Sequence, residues 1–395
     1  MEFPEKAGAR EHGGKYGVIA SLLLIVAVIS IAFLVYMKSQ GVDLKELNIR
    51  ELITKGMPVV GKKEAGEVIA EFKYNPEEPT GFTTNNGYIV KCAQDGIWLL
   101  DKNGENQWSK LIALNKPMVK SAGSYIMAAD MGGKDIYVIK DRTVRWSEKL
   151  DNVIINADVN SKGYVSVATE LEGYKGAVTV YDSHGNWIFT TARAEDHILS
   201  ARVLSSSPMV LITSVNISGD SVATNLELVD MYGKTQAALT RQGEIIPSAW
   251  ELKDGWIAAA GSKTVLCFNS KKDIRWEHSF DRIYSTAVLS DKQVVAAVKE
   301  EDGAGLFDKA EAHIKTIDLK GEVEDLYSVK GKVINLKAHD GIIAVNTGKE
   351  VHFINSKGEF KADYKSKTDV DDVFFLSKSE AVVITQNSIA VINIE

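Results

Sequence analysis

A ten-residue pattern that returns about every forty residues constrains this chain more than any other feature. LLDKNGENQW at 99–108 recurs as TVYDSHGNWIF at 179–189, ELVDMYGKTQA at 227–237, KTIDLKGEVED at 315–325 and HFINSKGEFKA at 352–362. Two further copies, VIKDRTVRW at 138–146 and LCFNSKKDIRW at 266–276, lose the glycine and keep the tryptophan. Aligned on the column of Asp101, the copies fall at 101, 139, 182, 230, 269, 318 and 355. Intervals of 37 to 49 residues suit a propeller blade better than a shorter helical repeat.

The surroundings repeat as well. Upstream of each motif lies a short β-rich run: YIVKCA, YIMAAD, YVSVAT, MVLITS, WIAAAG, QVVAAV, IIAVNT and AVVITQ. Before several of these stands another run ending in a turn, as in VLSDK before QVVAAV or VNSKG before YVSVAT. Each unit therefore reads strand, turn, strand, loop, strand, Asp-x-x-Gly turn, strand, which is one four-stranded antiparallel blade. The chain ends on NSIAVINIE, which matches the strand before the turn and then stops. The domain begins with KEAGEVIAEFKYN, which matches the turn and the strand after it. The first strand, 67–74, is thus expected to complete the last blade. Seven full copies and one composite blade predict an all-β, eight-bladed propeller over 63–395, closed by its N- and C-terminal strands so that no edge is left free.

The motif's residue types suit a scaffold. Asp or Asn can accept a hydrogen bond from its own backbone two residues on, and Gly supplies the positive φ of a tight hairpin. The tryptophan on the outermost strand can pack a large ring between adjacent blades. Asp101 and Trp108 are accordingly read as structural and stay off any list of site residues.

Ahead of the repeats, Tyr16 to Met37 is a run of 22 residues without a charge. At helical rise it spans about 33 Å, enough for the hydrocarbon core of a bilayer. Tyr16 and Tyr36 sit near its ends, and Lys15 and Lys38 close it. AFLVYMKSQ follows in place of a small-x-small cleavage site, so the segment reads as an uncleaved signal anchor. Lys6, Arg10 and Lys15 precede it and Lys38, Lys45 and Arg50 follow, so flanking charge does not orient it. The general behaviour of N-terminal anchors points to a short cytoplasmic tail at 1–15 and an extracytoplasmic propeller at the cell membrane. Between them, 38–62 reads as a juxtamembrane helix or linker, with Asp43 to cap it and Gly56 to stop it.

LLDKNGENQW, YDSHGNW and the tryptophans Trp108, Trp146, Trp187 and Trp276 resemble the quinoprotein-type (PQQ-like) repeat propellers, whose blades carry an Asp, a Gly and then a Trp as a docking element. The likeness covers 63–395. It departs in the spacing of Asp and Gly, often one residue wider in that family, and in the blades that lack Gly or Trp. Enzymes of the family bind pyrroloquinoline quinone and calcium and use an adjacent cysteine pair, which this sequence does not have. One anchor followed by one propeller resembles instead the non-enzymatic members, such as the propeller lipoprotein of the bacterial outer-membrane assembly machine, and membrane-anchored propellers of Gram-positive bacteria. The resemblance implies a scaffold and no cofactor.

Little else in the sequence carries chemistry. With 46 Lys and Arg against 53 Asp and Glu, and no basic arm, a nucleic-acid partner is disfavoured. Cys92 and Cys267 are isolated and read as buried free thiols. None of the seven histidines has a partner at metal-site spacing, and turn or strand surface positions are expected for them. Phosphate-loop, dinucleotide and nucleophile-elbow patterns are absent. No catalytic, cofactor-binding or metal-binding residue is therefore assigned. The segment KEEDGAGLFDKAEAH at 299–313 is the longest loop, between the second and third strands of the sixth blade. Its Glu300, Glu301, Asp302 and Asp308 lack the alternating ligand pattern of a calcium loop. Leu306 and Phe307 are apolar within this acidic loop and, with Tyr174 of the LEGYK loop on the same propeller face, are candidates for contact with a protein partner.

The expected function is a membrane-tethered, non-catalytic interaction scaffold at the cell envelope, acting on an envelope or membrane protein. The alternative is a small-ligand or glycan binder, or an enzyme, that uses the central channel. Several charged or aromatic side chains converging from the innermost strands would favour that alternative. A sensor signalling through the cytoplasmic tail is weaker, because fifteen residues hold no domain.

Overall fold

A computed structural model describes residues 64–299 and 311–395, so the apolar span at 16–37, the linker at 38–62 and the loop at 300–310 lie outside the described residues. Strands dominate, in eight four-stranded antiparallel sheets, with one 3-10 turn at Lys253–Gly255. The expected eight-bladed propeller is what forms. Blades 1 to 7 comprise residues 81–111, 117–149, 154–193, 197–242, 248–279, 282–330 and 335–365. In each, strands A to D run outward from the axis. Blade 8 takes A, B and C from Val370–Phe375, Glu380–Thr385 and Ser388–Asn393, and D from Val68–Lys73 at the other end of the chain. Phe72 pairs with Ile389 and Ala70 with Val391, so the ring is tied shut by backbone hydrogen bonds.

The burial pattern explains the composition of each strand. B strands such as Tyr125–Asp130 and Ile257–Ala260 are buried throughout, because both sheet faces meet a neighbouring blade. They read as runs of Ile, Val and Ala rather than as alternating patterns. D strands such as Asn106–Leu111 face water and are polar. The core is correspondingly a ring of seams. Each of eight apolar clusters joins one pair of adjacent blades, from Val90, Leu99 and Ile126 between blades 1 and 2 to Ile89, Val382 and Val391 between blades 8 and 1.

The repeated motif builds both the hairpin and the seam. The Asp101 carboxylate accepts the backbone N–H groups of Asn103 and Glu105, each at 2.9 Å. Asp182, Asp230, Asn269, Asp318 and Asn355 repeat this arrangement. The donated hydrogen bonds, foremost that of Lys234, hold the Asp230 carboxyl below its usual range. At Asp182, burial pushes upward, and the hydrogen bonds from Asn186 and His184 outweigh it. In all eight C–D pairings the register then slips by one residue, a bulge that aims the following side chain at the next blade.

What that side chain meets is the next blade's turn glycine. Gly185 has φ +86° and lies against Trp146 of blade 2; a methyl group there would stand 2.7 Å from the ring's Cγ. Gly321 meets Trp276 in the same way, and Gly104 meets Phe72 of the composite blade. Trp276 also donates its indole N–H to Leu319 O, and its neighbour His278 bonds Gly321 O at 2.9 Å. The docking role assigned to Trp146 and Trp276 therefore holds, with Trp108 packed in the seam between blades 1 and 2. Trp187 departs from the expectation. It stands two places after its glycine rather than four and is 63% exposed. Phe189, four places after, takes the seam position against Gly233. The two copies without glycine manage otherwise. Blade 2 turns on Asp141 and Arg142, and blade 5 places Lys272, all at positive φ.

Gly87 shares the left-handed backbone, with φ +78° and open space around it, so Gly87→Ala should cost about 1–2 kcal/mol in denaturant unfolding. Gly185→Ala must also displace Trp146 and should cost about 1–3 kcal/mol more; equal losses would contradict ring-on-glycine docking. Asp318→Ala should cost about 1–2 kcal/mol. Asp318→Asn should cost less than half of that, since Asn already fills this place in blades 5 and 7. With folded pKa values lowered at Asp182 and Asp230, the stability they contribute is complete above the unfolded aspartate pKa of about 3.9 and is lost as pH falls through the folded value. Asp182→Asn should flatten the acid limb of the unfolding midpoint plotted against pH.

Candidate functional site

Once the motif residues are assigned to turns and seams, the positions left for function are the strands around the axis and the loops of the two faces. A–B and C–D turns share one face of the ring, and B–C loops and D–A connections share the other.

The A strands are short and their inward residues come from points in the sequence about forty residues apart. The fold brings five charges together on the axis: Lys120 of blade 2, Asp158 of blade 3, Arg202 of blade 4, Lys337 of blade 7 and Asp372 of blade 8. They line a cavity of about 520 Å3 with Phe82, Phe374, Thr83, Ser121 and Glu251. Lys120 Nζ lies 3.2 Å from Asp158 Oδ2 and from Asn156 Oδ1. Arg202 reaches the same Asp158 oxygen at 3.4 Å and Ala249 O at 3.2 Å. Lys337 pairs with Asp372 at 3.1 Å and stands 4.9 Å from the centre of the Phe374 ring. Glu251, at the wall, accepts the backbone N–H groups of Ser205 and Ser206. Residues of the A–B turns, among them Asn160, Ser161 and Ser205, form part of the lining, so this cavity opens on the turn face. A second space of about 540 Å3 shares Ser121, Ala122, Lys337 and Phe374 with it and continues past Asn86, Gly123 and His339. Charged and aromatic side chains converging here are the feature that favours the alternative of a small-ligand or glycan binder at the central channel. Convergence is visible only once the blades are placed in a ring.

The opposite face carries the loops expected to bind a partner. Tyr174 stands at the tip of the B–C loop of blade 3, 50% exposed, with its N–H donated to Leu171 O. It borders a groove of about 530 Å3 between blades 2 and 3, with Lys134, Asp151, Glu170 and Glu172. Leu306 and Phe307 belong to the segment outside the described residues, so their contacts are not placed. The B–C loop of blade 4 shares this face and exposes Ile217. Asp196 anchors its base by accepting from Asn216 at 2.9 Å and Asn225 at 2.7 Å. The connections on this face also expose Ile245 and Ile334. Sequence reasoning passed over these three isoleucines, which look like any strand residue until the loops are located.

The titratable groups that depart from their usual range are dispersed around the ring. His352, on strand C of blade 7, is half-buried, and that burial lowers its pKa below the usual histidine value, with Glu350 and Asp363 opposing the shift. The expectation of surface histidines thus fails at His352 and at His278, both of which serve blade packing. Asp371 is raised by burial and then by Asp369 and Asp372. Among the described residues no group of three or more His, Cys, Asp and Glu could hold a metal ion. Cys92 and Cys267 are both buried free thiols, as expected, in blades 1 and 5.

A family model described as "Family of unknown function (DUF5711)" matches residues 62–394. No curated protein sequence matches the chain. Among solved structures, the computationally designed Ika8 protein aligns with a TM-score of 0.62 at 13% identity, over 83% of this chain and all of that one. BamB from Moraxella catarrhalis aligns with a TM-score of 0.55 at 12% identity, over 83% of this chain and 99% of that one. At such identities the likeness is one of fold.

Burial pushes both cysteine thiols up to about 12. A thiolate-selective reagent at pH 8 should leave the folded protein unmodified and label both sites together on unfolding, read by intact-mass spectrometry. Labelling of either one without loss of the far-ultraviolet β signal would show that its blade opens independently.

Proposed function

The chain belongs to this family, DUF5711, and we propose that it is a membrane-tethered, non-catalytic scaffold that docks a protein partner on the face of its B–C loops. The observation that carries this reading is the set of exposed apolar side chains on that face. Tyr174, Ile217, Ile245 and Ile334 are each about half exposed or more, at loops and connections that the blade seams do not need. Large apolar residues held in water at several adjoining blades are a feature of interaction surfaces. Leu306 and Phe307, in the segment between Gln293–Lys299 and Glu311–Asp318 of blade 6 and outside the described residues, are proposed to share in that contact.

Further support comes from how the chain uses its repeated residues. The aspartates or asparagines, glycines and aromatic rings that recur in most blades are taken up by turns and seams, which is the economy of a rigid platform. The tether rests on the 22 uncharged residues from Tyr16 to Met37. The partner reading also rests on the resemblance to non-enzymatic anchored propellers and on the shared fold with BamB.

Photo-crosslinking tests the partner face. A benzophenone amino acid at Tyr174 or Phe307 in the full-length chain, in cells, should capture one discrete protein, and the same group at exposed Trp187 on the turn face should not. Replacing Leu306, Phe307 and Tyr174 together with Ser should abolish that product while leaving the melting temperature unchanged. Recovery of the product from the triple variant would overturn the docking assignment. Because the native thiols are buried, a single cysteine introduced at exposed Tyr232 reports topology without background. An impermeant maleimide should label it on intact cells if the propeller is extracytoplasmic.

A further inference from the structure

We propose that the mouth of the central channel is a second docking site, which takes an extended acidic peptide segment of a protein partner. It lies on the face opposite the B–C loops and does not depend on the reading above.

A count of hydrogen-bonding capacity carries the proposal. Lys120 uses two of its three N–H donors, Arg202 two of its five and Lys337 one of its three. The carboxylates beside them are already engaged. Asp158 Oδ2 receives both Lys120 and Arg202, Asp372 receives Lys337 and the N–H of Val373, and Glu251 receives the serine pair. The lining is formally neutral, with three cations against Asp158, Asp372 and Glu251, and most of its unused hydrogen-bonding capacity lies in the N–H donors of the cations. Exposure agrees on the blade 3 side, where Lys120 and Arg202 are 37–39% exposed and Asp158 is 14% exposed; Lys337 and Asp372 are exposed nearly alike, at 38% and 32%. The ammonium and guanidinium groups face the void, and the carboxylates hold them in place from the wall. A ligand rich in carboxylate oxygens matches that lining.

Shape argues for a peptide over a compact anion. The two spaces join through Ser121, Ala122, Lys337 and Phe374, which makes a trough from the blade 3 and 4 side of the axis to the A–B turns of blades 1 and 2. The trough also distributes its cations, with Lys120 and Arg202 flanking blade 3 and Lys337 two blades beyond the closure. An extended chain with a carboxylate on several residues can meet both groups at once. At a net charge of −7 the protein does not attract acidic partners as a whole, so affinity has to come from these local contacts.

The test uses the full-length protein in uncharged nanodiscs and a fluorescein-labelled octapeptide of alternating Asp and Glu, read by fluorescence anisotropy. Saturable binding that weakens with added salt is expected, with no binding of the Asn-Gln analogue. Lys337→Gln and Arg202→Gln should each weaken it about tenfold. Ala122→Glu leaves every ion pair intact, adds one carboxylate to the lining and should weaken binding at least as much. Lys134→Gln, on the loop face, should change nothing. Absence of saturable binding, or equal loss on Lys134→Gln, would overturn the proposal. So would competition in which citrate or inorganic phosphate displaces the peptide at a concentration no higher than the peptide's own dissociation constant, because the site would then be one for small anions. Should Lys337→Gln or Arg202→Gln fail to fold, Ala122→Glu with an unchanged melting curve decides alone, and retained binding in that variant counts against the site.

Discussion

The structure depends on one contact made repeatedly: a side chain from the outer strand of one blade laid on the turn of the next. The contact needs a glycine, because the turn backbone is left-handed and the approach leaves no room for a Cβ at Gly104, Gly185 or Gly321. It needs the aspartate or asparagine at the start of the turn, seven positions upstream of the ring, because only a tightened turn brings its backbone within reach. It also needs the bulge that follows, which turns the aromatic residue toward the neighbouring blade rather than toward water. Each blade thus supplies half of two seams and is stable only between its neighbours. A chain built this way has to close on itself, and Val68–Lys73 does so by completing the sheet begun at Val370.

Where the contact is weakened, the structure substitutes rather than abandons it. Blades 4 and 7 carry Ala237 and Ala362 at the ring position, both buried, so the next blade's backbone can move in. Gly66 of the composite blade correspondingly meets the backbone of Asp363 beside Ala362, and Gly358 meets that of Leu326 in blade 6, where Asp325 stands at the ring position. Blade 6 shifts its bulge and sets Asp325 on Lys315 at 2.8 Å. Between blades 3 and 4, Arg193 adds a two-pronged bond to Glu227, with both side chains largely buried. The Arg193–Glu227 bond thus reinforces a seam that Phe189 already fills, and Lys315–Asp325 ties strands C and D within blade 6.

This division explains what could be read in the sequence. Turn, bulge and ring lie within about eight residues, so the blade, its count and its closure are local information repeated seven times. Trp187 misled for a local reason too: a tryptophan is conspicuous, but the bulge counts from the glycine, and Phe189 occupies the fourth place. The axis is different in kind. Lys120, Asp158, Arg202, Lys337 and Asp372 sit on five blades, and no window of sequence contains two of the pairs they form. His278 and His352 were likewise invisible as seam residues, since each answers to a partner on another blade.

The same division bears on where function can reside. The C–D turns face a strict requirement, and a change there is felt in a seam. B–C loops answer to no such requirement, which is why blade 6 can carry a long insertion and blades 3 and 4 can expose Tyr174 and Ile217 without loss of packing. Inward positions of the A strands are free for a second reason: the ring is too wide for side chains from eight blades to fill its centre, so nothing apolar is demanded of them. Charges placed there stay hydrated enough to avoid the full cost of burial, and they hold one another in position across blades. A propeller of this kind therefore offers two independent surfaces, one at the axis and one at the loops, on a frame whose repeated residues belong to neither.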